Sequence, residues 1–528
     1  MLLAAAACLL TLAAAPLPHV DSDAALFGKV AKQILASGEW LTLHHPGKPD
    51  WIVDKPPLTF WLMAVSLRVG GETNAALRAW QLLMQIGLVF AVYRLARLSA
   101  GREESLLAGL LMATFQQAFY FSMAPQHDVP VTLFLTLAFY GSLAYRERGS
   151  TVIAILIGFL LALAALTKGV LWVGVFALIV IVDAALAARH RDLGRWRWGQ
   201  VAVAAAVCVI VAAPWFVVGA VRQGGAFVET FLLGENGIQR FLHPFLGAGV
   251  VPVRGRLVLL LAYVPILMLG MLPWTGWLPG AVRAGWLSLR AGPRSVRLCA
   301  VWFGVFFLVL SLSQGDRIMR YLLPLYPPLA VLAARWTVRA FEEPRGLRMA
   351  AAISLVFGVP LIVATGWFYF LYAPNDVRVY LPILMPSMIV FSLALTAFAM
   401  ATFLRPGRRA VVVLVTGVLV SYALLYGMLM QRWETIWPWP AITGTVNRLY
   451  RLGDRVLVVG SAGAETHFAA YWIEARVEAA DEDVLMAAWQ KGRVFGLLSP
   501  QTAARLSERL HPTVLVTTPL GWTLVTNR

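Results

Sequence analysis

The sequence predicts an α-helical polytopic membrane protein of about 13 transmembrane helices, with a small α/β domain at the carboxyl end. Three observations predict it. Of 528 residues, 59% are hydrophobic and the mean hydropathy is +0.72, too apolar for a soluble domain. Apolar runs long enough to cross a bilayer recur as far as residue 430. Beyond residue 431 the pattern changes to short β-branched runs alternating with amphipathic stretches.

The first apolar run, residues 2–17, has no basic stretch before it and ends in Pro-Leu-Pro-His, so it reads as a retained span and not a cleaved signal. Further spans are expected near 76–97, 105–122, 129–145, 151–166, 169–188, 200–221, 257–280, 298–313, 321–340, 349–372, 380–403 and 410–430. Loops holding Arg94 to Arg102, Arg146/Arg148, Arg189 to Arg197, Arg283 to Arg297, Arg335 to Arg348 and Arg405 to Arg409 alternate in one phase with arginine-poor loops. The positive-inside rule makes the basic set cytoplasmic. Segments 18–75, 123–128, 222–256, 314–320, 373–379 and everything after 431 then lie outside. The net charge of +17 is therefore a matter of topology, and nucleic acid is not an expected partner. Cys8, Cys208 and Cys299 are scattered in or beside apolar runs, which suits packing and gives neither a disulfide framework nor metal spacing. Asp183, late in a span beside cytoplasmic arginines, is expected to snorkel.

Within the first outer segment, Leu26, Phe27, Val30, Ala31, Ile34 and Leu35 fall on one helical face, opposite Lys29, Lys32 and Gln33. Such a helix is expected to lie in the membrane interface plane, with Ser22 as N-cap and Asp23 in its first turn. Further on, Trp51 to Thr59 sets Asp54 and Lys55 before Pro56-Pro57. The residue before proline is pushed toward extended backbone, so the acid and the base are expected to point to opposite faces and serve different partners. A helix is expected from Leu58. In the carboxyl-terminal domain, strands are expected at 455–460, 475–479, 493–498 and 513–518, and helices at 464–473, 481–490 and 500–510. The Val458 to Gly463 loop lacks a full Gly-x-Gly-x-x-Gly pattern and would sit outside the cell, so no nucleotide site is expected.

Ionisable residues gather on the outer side: Asp23, Asp54, Lys55, His127, Asp128, Lys168, Glu235, Arg240, His243, Arg254, Arg256, Asp316, Arg317, Arg320 and Tyr321. Such groups are costly at the membrane boundary unless wet or paired, which points to a polar cavity open to that side. Each also has a plain structural reading. Asp23 and Asp128 suit helix starts, Lys168 a tight turn, Asp316/Arg317 a local pair, and His243 an exposed loop.

The order of motifs is more specific than any of them singly. Asp23, Ser37-Gly38-Glu39-Trp40-Leu41, Asp54-Lys55-Pro56-Pro57-Leu58, Arg78, Asp128-Val129-Pro130, Thr167-Lys168-Gly169, Glu235-Asn236, Arg240-Phe241 and Tyr321 to Pro327 follow in that sequence. The set resembles the bacterial aminoarabinose transferase and protein O-mannosyltransferase family, glycosyltransferases of the GT-C fold that use polyprenyl-phosphate sugars. The resemblance covers most of the membrane portion, and the terminal α/β domain fits the aminoarabinose-transferase-like branch. It implies a membrane catalytic region, residues 1–430, that includes outer loops 18–75 and 222–256, and a periplasmic domain, residues 431–528.

By the same resemblance, Asp23 matches a general base or acceptor-positioning acid and Asp128 the second family acid. Lys55 matches the lysine that meets the donor phosphate, and Tyr321 the tyrosine that helps hold it. Arg240, Arg254 or Arg256 supplies the basic contribution of the later loop. Displacing a polyprenyl phosphate leaves an anion that such groups stabilise as it forms. Asp54, His243, Lys168 and Glu235 are further candidates. Ala24 and Phe27 depart from the usual Glu and Tyr. Some relatives hold a metal between the acid before Lys-Pro-Pro and a loop histidine. Here Asp54 and His243 alone would serve, a poor divalent-metal site, and no catalytic metal is expected.

The expected activity is inverting transfer from an undecaprenyl-type monophosphate carrier to a lipid A-like lipid, another glycolipid or a protein, by a monomer in the bacterial inner membrane. This is cell-envelope chemistry of the lipid A modification kind. A transporter or flippase is the alternative. It would need midplane charges and an internal repeat, and the sequence shows little of either. A purely structural scaffold would leave the one-sided acids unexplained.

Overall fold

A computed structural model describes residues 22–45, 48–192, 194, 197–233, 253–312, 319–372, 381–436, 439–460, 464–518 and 521–527. It opens with α1 (Ser22–Ser37), a two-stranded antiparallel ribbon of β1 (His44–His45) and β2 (Lys48–Ile52), and α2 (Leu58–Gly70). The membrane helices follow: α3 (Asn74–Arg97), α4 (Arg102–Thr114), α5 (Gln116–Met123), α6 (Asp128–Arg148), α7 (Thr151–Lys168), α8 (Leu171–Arg189) and α9 (Trp198–Gln223). A short α10 (Gly225–Val228) leads into a π turn, and α11 (Val253–Gly270) returns. Next come α12 (Leu278–Ala291), α13 (Arg294–Leu312), a 3-10 turn at Met319–Leu325, α14 (Tyr326–Ala340), α15 (Pro344–Tyr372), α16 (Leu381–Leu404) and α17 (Arg408–Ile436).

Among the described residues, eight helices are long and apolar enough to cross a membrane, or nine if the bent pair α4 and α5 forms one span. The expected count of 13 is not reached by that measure, and the expected first span at 2–17 lies outside the described residues. The expected 257–280 span resolves into α11, a 3-10 turn at Trp274–Trp277, and the separate amphipathic α12. The α4/α5 bend of 58° falls at Phe115, whose extended backbone (ψ 126°) cannot continue a helix. A backbone bond from Gln116 N–H to the Leu272 carbonyl (2.9 Å) takes up one group freed by the break.

The carboxyl-terminal domain holds α18 (Trp439–Leu449), β3 (Arg455–Val459), α19 (Ala464–Trp472), β4 (Val477–Ala480), α20 (Glu482–Lys491), β5 (Val494–Leu498), α21 (Pro500–Leu510), β6 (Thr513–Thr517) and β7 (Thr523–Thr526). Its sheet runs β4-β3-β5-β7-β6, with β3 parallel to β4 and β5, and β7 antiparallel to β5 and β6. The four expected strands are present within a few residues. The fifth, β7, is short and flanked by turn residues, so its sequence gave little periodic signal.

The domain does not stand apart from the first outer segment. Phe27, Val30 and Ile34 of α1, Phe60 of α2, Ile442 of α18, Tyr471 of α19 and Phe495 of β5 share one buried cluster. Gly28 lets α1 lie directly on the Tyr471 ring, since a Cβ there would come within 2.6 Å of it. The apolar face of α1, expected to rest in the membrane interface, is thus covered by protein instead. The described part of α1 begins at Ser22, and the residue before it lies outside the described residues.

Asp183 does not snorkel. It is fully buried and accepts from Arg146 (2.5 Å) and from Arg297 (3.4 Å), which continues to Asp192. Close packing of this part of α8 on its neighbours leaves the acid no route to water, so the charge is neutralised by partners inside the bundle.

Candidate functional site

Four elements converge at the end of the bundle where α6 begins. The first turn of α1 supplies Asp23, α6 opens on Asp128, α7 closes on Lys168, and the 3-10 turn carries Arg320 and Tyr321. The Lys168 ammonium donates to Asp128 Oδ1 at 2.5 Å. It also lies 4.6 Å from the Tyr321 ring centre and 5.0 Å from that of Trp172. Arg320 bridges the acids, with Nη1 donating to Asp23 Oδ2 at 2.5 Å and Nε 4.0 Å from Asp128 Oδ2. A further bond from Arg320 Nη1 reaches Gln126 Oε1 at 3.2 Å.

Burial grades the two acids. The Asp128 side chain is 3% exposed and Asp23 32%. Asp128, held by one cation and flanked by another, is suited to orienting charge, whereas Asp23 remains accessible to an incoming group. The chain before Asp128 is fixed by buried donors: Arg78 Nε to the Met123 carbonyl (2.8 Å), and Gln81 Nε2 to the Phe121 and Ala124 carbonyls (each 3.0 Å).

The 3-10 turn is fastened through Gln117, just past the α4/α5 break. Its amide donates to the Met319 carbonyl, and its Oε1 accepts from the Tyr326 hydroxyl at 2.5 Å. Gly270 is required at this point, because a Cβ would collide with both the Tyr326 hydroxyl and Gln117 Oε1.

His127 joins this cluster to the Asp54-Lys55 segment. Its Nδ1 pairs with Thr59 Oγ1 at 2.7 Å, and its ring packs 4.7 Å from Phe27 and 5.4 Å from Phe60. Burial holds its pKa well below the usual imidazole value, and the positive charges of Lys55, Lys168 and Arg320 push the same way.

Asp54 and Lys55 depart from the expected arrangement. The chain bends here instead of running extended, α2 starts at Leu58, and Lys55 Nζ donates to Asp54 Oδ2 at 2.6 Å. The bend turns both side chains to one side, so they pair with each other. Lys55 is still the more enclosed, 17% exposed against 62% for Asp54.

The Ser37 to Leu41 motif has a local role. Glu39 Oε1 accepts from the Leu41 and Thr42 N–H groups and from Arg222 Nη1, and these backbone bonds lower its pKa. Trp61 and Trp215 indoles donate to the Trp40 and Leu41 carbonyls, stapling the turn after α1 to α2 and α9.

Glu235, Arg240, His243, Asp316 and Arg317 lie outside the described residues, and of Arg254 and Arg256 only the backbone, in α11, is described. Among the described residues no three His, Cys, Asp or Glu side chains gather into a metal-ligating group. In the sequence Arg320 stands only as one of many outer-face charges. Its one signal was the position directly before Tyr321.

Residues 54–217 match the family profile described as dolichyl-phosphate-mannose-protein mannosyltransferase. The chain is 27% identical over 349 residues to an undecaprenyl phosphate-alpha-4-amino-4-deoxy-L-arabinose arabinosyl transferase of Aeromonas salmonicida, covering 65% of this chain and 60% of that one. A transferase of the same name from Sodalis glossinidius is 30% identical over 351 residues, covering 65% and 59%. The chain thus spans about three-fifths of the length of the curated relatives it matches. The crystal structure of ArnT from Cupriavidus metallidurans bound to undecaprenyl phosphate superposes with a TM-score of 0.80 at 18% identity, over 100% of this chain and 97% of that one. The Archaeoglobus fulgidus oligosaccharyltransferase in complex with Zn and sulfate gives 0.52 at 12% identity, over 99% and 73%. The chain is thus similar in sequence to transferases named for undecaprenyl-phosphate aminoarabinose, and it shares the GT-C fold of ArnT.

Proposed function

We propose that the protein is an inverting glycosyltransferase that moves a sugar from undecaprenyl monophosphate to a lipid acceptor of the lipid A kind, at the periplasmic face of the bacterial inner membrane. One observation carries the reading: two acids and two cations from α1, α6, α7 and the 3-10 turn meet in one cluster, with a tyrosine ring against the cations. A departing phosphate develops negative charge, and fixed cations at that point stabilise it without reorganising. Likeness to transferases named for an undecaprenyl-phosphate sugar supports the donor class, and nothing in those likenesses supports a transporter.

In this mechanism the acceptor oxygen attacks the anomeric carbon as the bond from that carbon to the carrier phosphate oxygen breaks, releasing undecaprenyl phosphate. Asp23 takes the proton of a hydroxyl acceptor, or orients a phosphate acceptor that is already ionised. Lys55, Tyr321 and Arg320 receive the phosphate, with Arg240 and Arg256 completing the basic surround. Asp128 holds Lys168 and Arg320 in place. Residues 1–430 form the catalytic membrane region and 431–528 the periplasmic domain, acting as a monomer.

The test is chemical. Purified protein given undecaprenyl-phosphate-linked labelled sugar and lipid A, with no gradient, should label the lipid. Absence of labelled lipid, together with unchanged envelope lipids when the gene is deleted, would overturn the reading.

A further inference from the structure

We propose that the cavity between α12, α14 and the start of α15 binds the headgroup of an anionic diacyl phospholipid. This place lies at the opposite end of the bundle from Asp128. Tyr326, beside the 3-10 turn, begins α14, and Arg339 comes 13 residues later, about 20 Å along the helix axis. The cavity has a volume of about 470 Å³, and Arg283, Arg339 and Arg345 line it together with Glu343 and Trp336.

The charge of this wall is less closely paired than elsewhere at the same end: Glu104 reaches Arg339 only as a more distant charge. Arg294 and Arg297 meet Asp192, Arg335 meets Glu104, and Arg408 meets Glu103. Among the described residues no carboxylate comes within 4.0 Å of Arg283, Arg339 or Arg345, and all three are exposed. Three guanidinium groups against one carboxylate leave the cavity cationic, and guanidinium matches phosphate oxygens in a two-point fork.

The surroundings select a lipid over a soluble phosphate. Beside Arg283, α12 turns Val282 (48% exposed), Trp286 (61%) and Leu287 (47%) outward, and Met349 (52%) flanks them from α15. The Arg290 guanidinium sits 5.7 Å from the Trp286 ring. Tryptophan and arginine side by side on a short amphipathic helix are the chemistry of the membrane interface. Basic pockets between spans there recognise anionic headgroups while the neighbouring apolar surface takes the acyl chains.

The experiment titrates the full-length protein, delipidated in neutral detergent, with phosphatidylglycerol and counts bound lipid by native mass spectrometry. One phosphatidylglycerol should bind in preference to phosphatidylcholine, and Arg283→Gln/Arg339→Gln/Arg345→Gln should weaken it tenfold or more. Soluble glycerol phosphate at equal concentration should not displace it. Equal binding of phosphatidylcholine, displacement by glycerol phosphate, or an equal loss in the control Arg189→Gln/Arg405→Gln/Arg409→Gln would each overturn the proposal. Should the triple variant fail to fold, a photoreactive phosphatidylglycerol on the unaltered protein decides. Adducts should concentrate on residues 279–287 and 336–349, and adducts spread evenly over the spans would refute it.

Discussion

Lys168 and Asp128 face each other across 2.5 Å and tie the last turn of α7 to the first turn of α6. Both side chains are largely buried, at 9% and 3% exposure, so each charge depends on the other. Removing one partner of such a pair strands the other in a medium that solvates it poorly. Asp128→Asn should therefore lower unfolding stability by about 3–5 kcal/mol. In the double variant Asp128→Asn/Lys168→Met, thermal unfolding should regain part of the lost stability while sugar transfer stays absent. Recovery of both together would mean that the pair serves packing alone.

Arg320 touches Asp23 and lies beside Asp128, so its loss separates two acids that it now holds in one field. Arg320→Gln should reduce turnover by about 10²–10³, the range for a removed charge-stabilising donor. Tyr321→Phe keeps the ring beside Lys168 and should cost only about tenfold, the hydroxyl bond alone. Initial rates at saturating donor separate the two.

His127 gives the fold a pH dependence whose sign is fixed. Its folded pKa is depressed, chiefly by burial, below the unfolded value of about 6.5. Above that value both states are neutral and it contributes no slope. As pH falls below it, the unfolded chain takes a proton that the folded one resists, and stability declines until the folded pKa is passed. His127→Gln, which can keep a bond to Thr59, should flatten this decline in melting curves taken from pH 7 downward.

Lys29 reports on the seat of the carboxyl-terminal domain. Its ammonium donates to the Ile473 carbonyl at 2.7 Å, and burial lowers its pKa to about 8. Folded Lys29 sheds its proton before the unfolded chain does, so stability should rise with pH between about 8 and about 10.4, by about 1.4 kcal/mol per unit of displacement at most. Lys29→Met should abolish that rise. Gly28→Leu, placed against Tyr471, should expose the contact between α1 and α19 to proteases without unfolding the spans.

Much of this fold was legible in order and type. Long apolar runs must become helices in a bilayer, so α3, α6 to α9, α13, α16 and α17 were readable. The α4/α5 break was not, because Phe115 carries no breaker signal and its backbone is held by Leu272 from a distant segment. Asp23, Asp128 and Lys168 were named from sequence, and the structure brings them to one cluster. What the sequence withheld was pairing. Asp54 with Lys55 required a bend that proline rules alone do not set, and Asp183 with Arg146 and Arg297 joins three helices across more than a hundred residues.

The most direct test sets unaltered protein beside Asp23→Asn and Lys55→Ala, with labelled undecaprenyl-phosphate-linked sugar as donor and lipid A as acceptor. Each variant should elute and melt like the parent and yet transfer less than a hundredth of the label. Transfer at the parental rate by either folded variant would contradict the assignment of that residue, and parental rates in both would contradict the site.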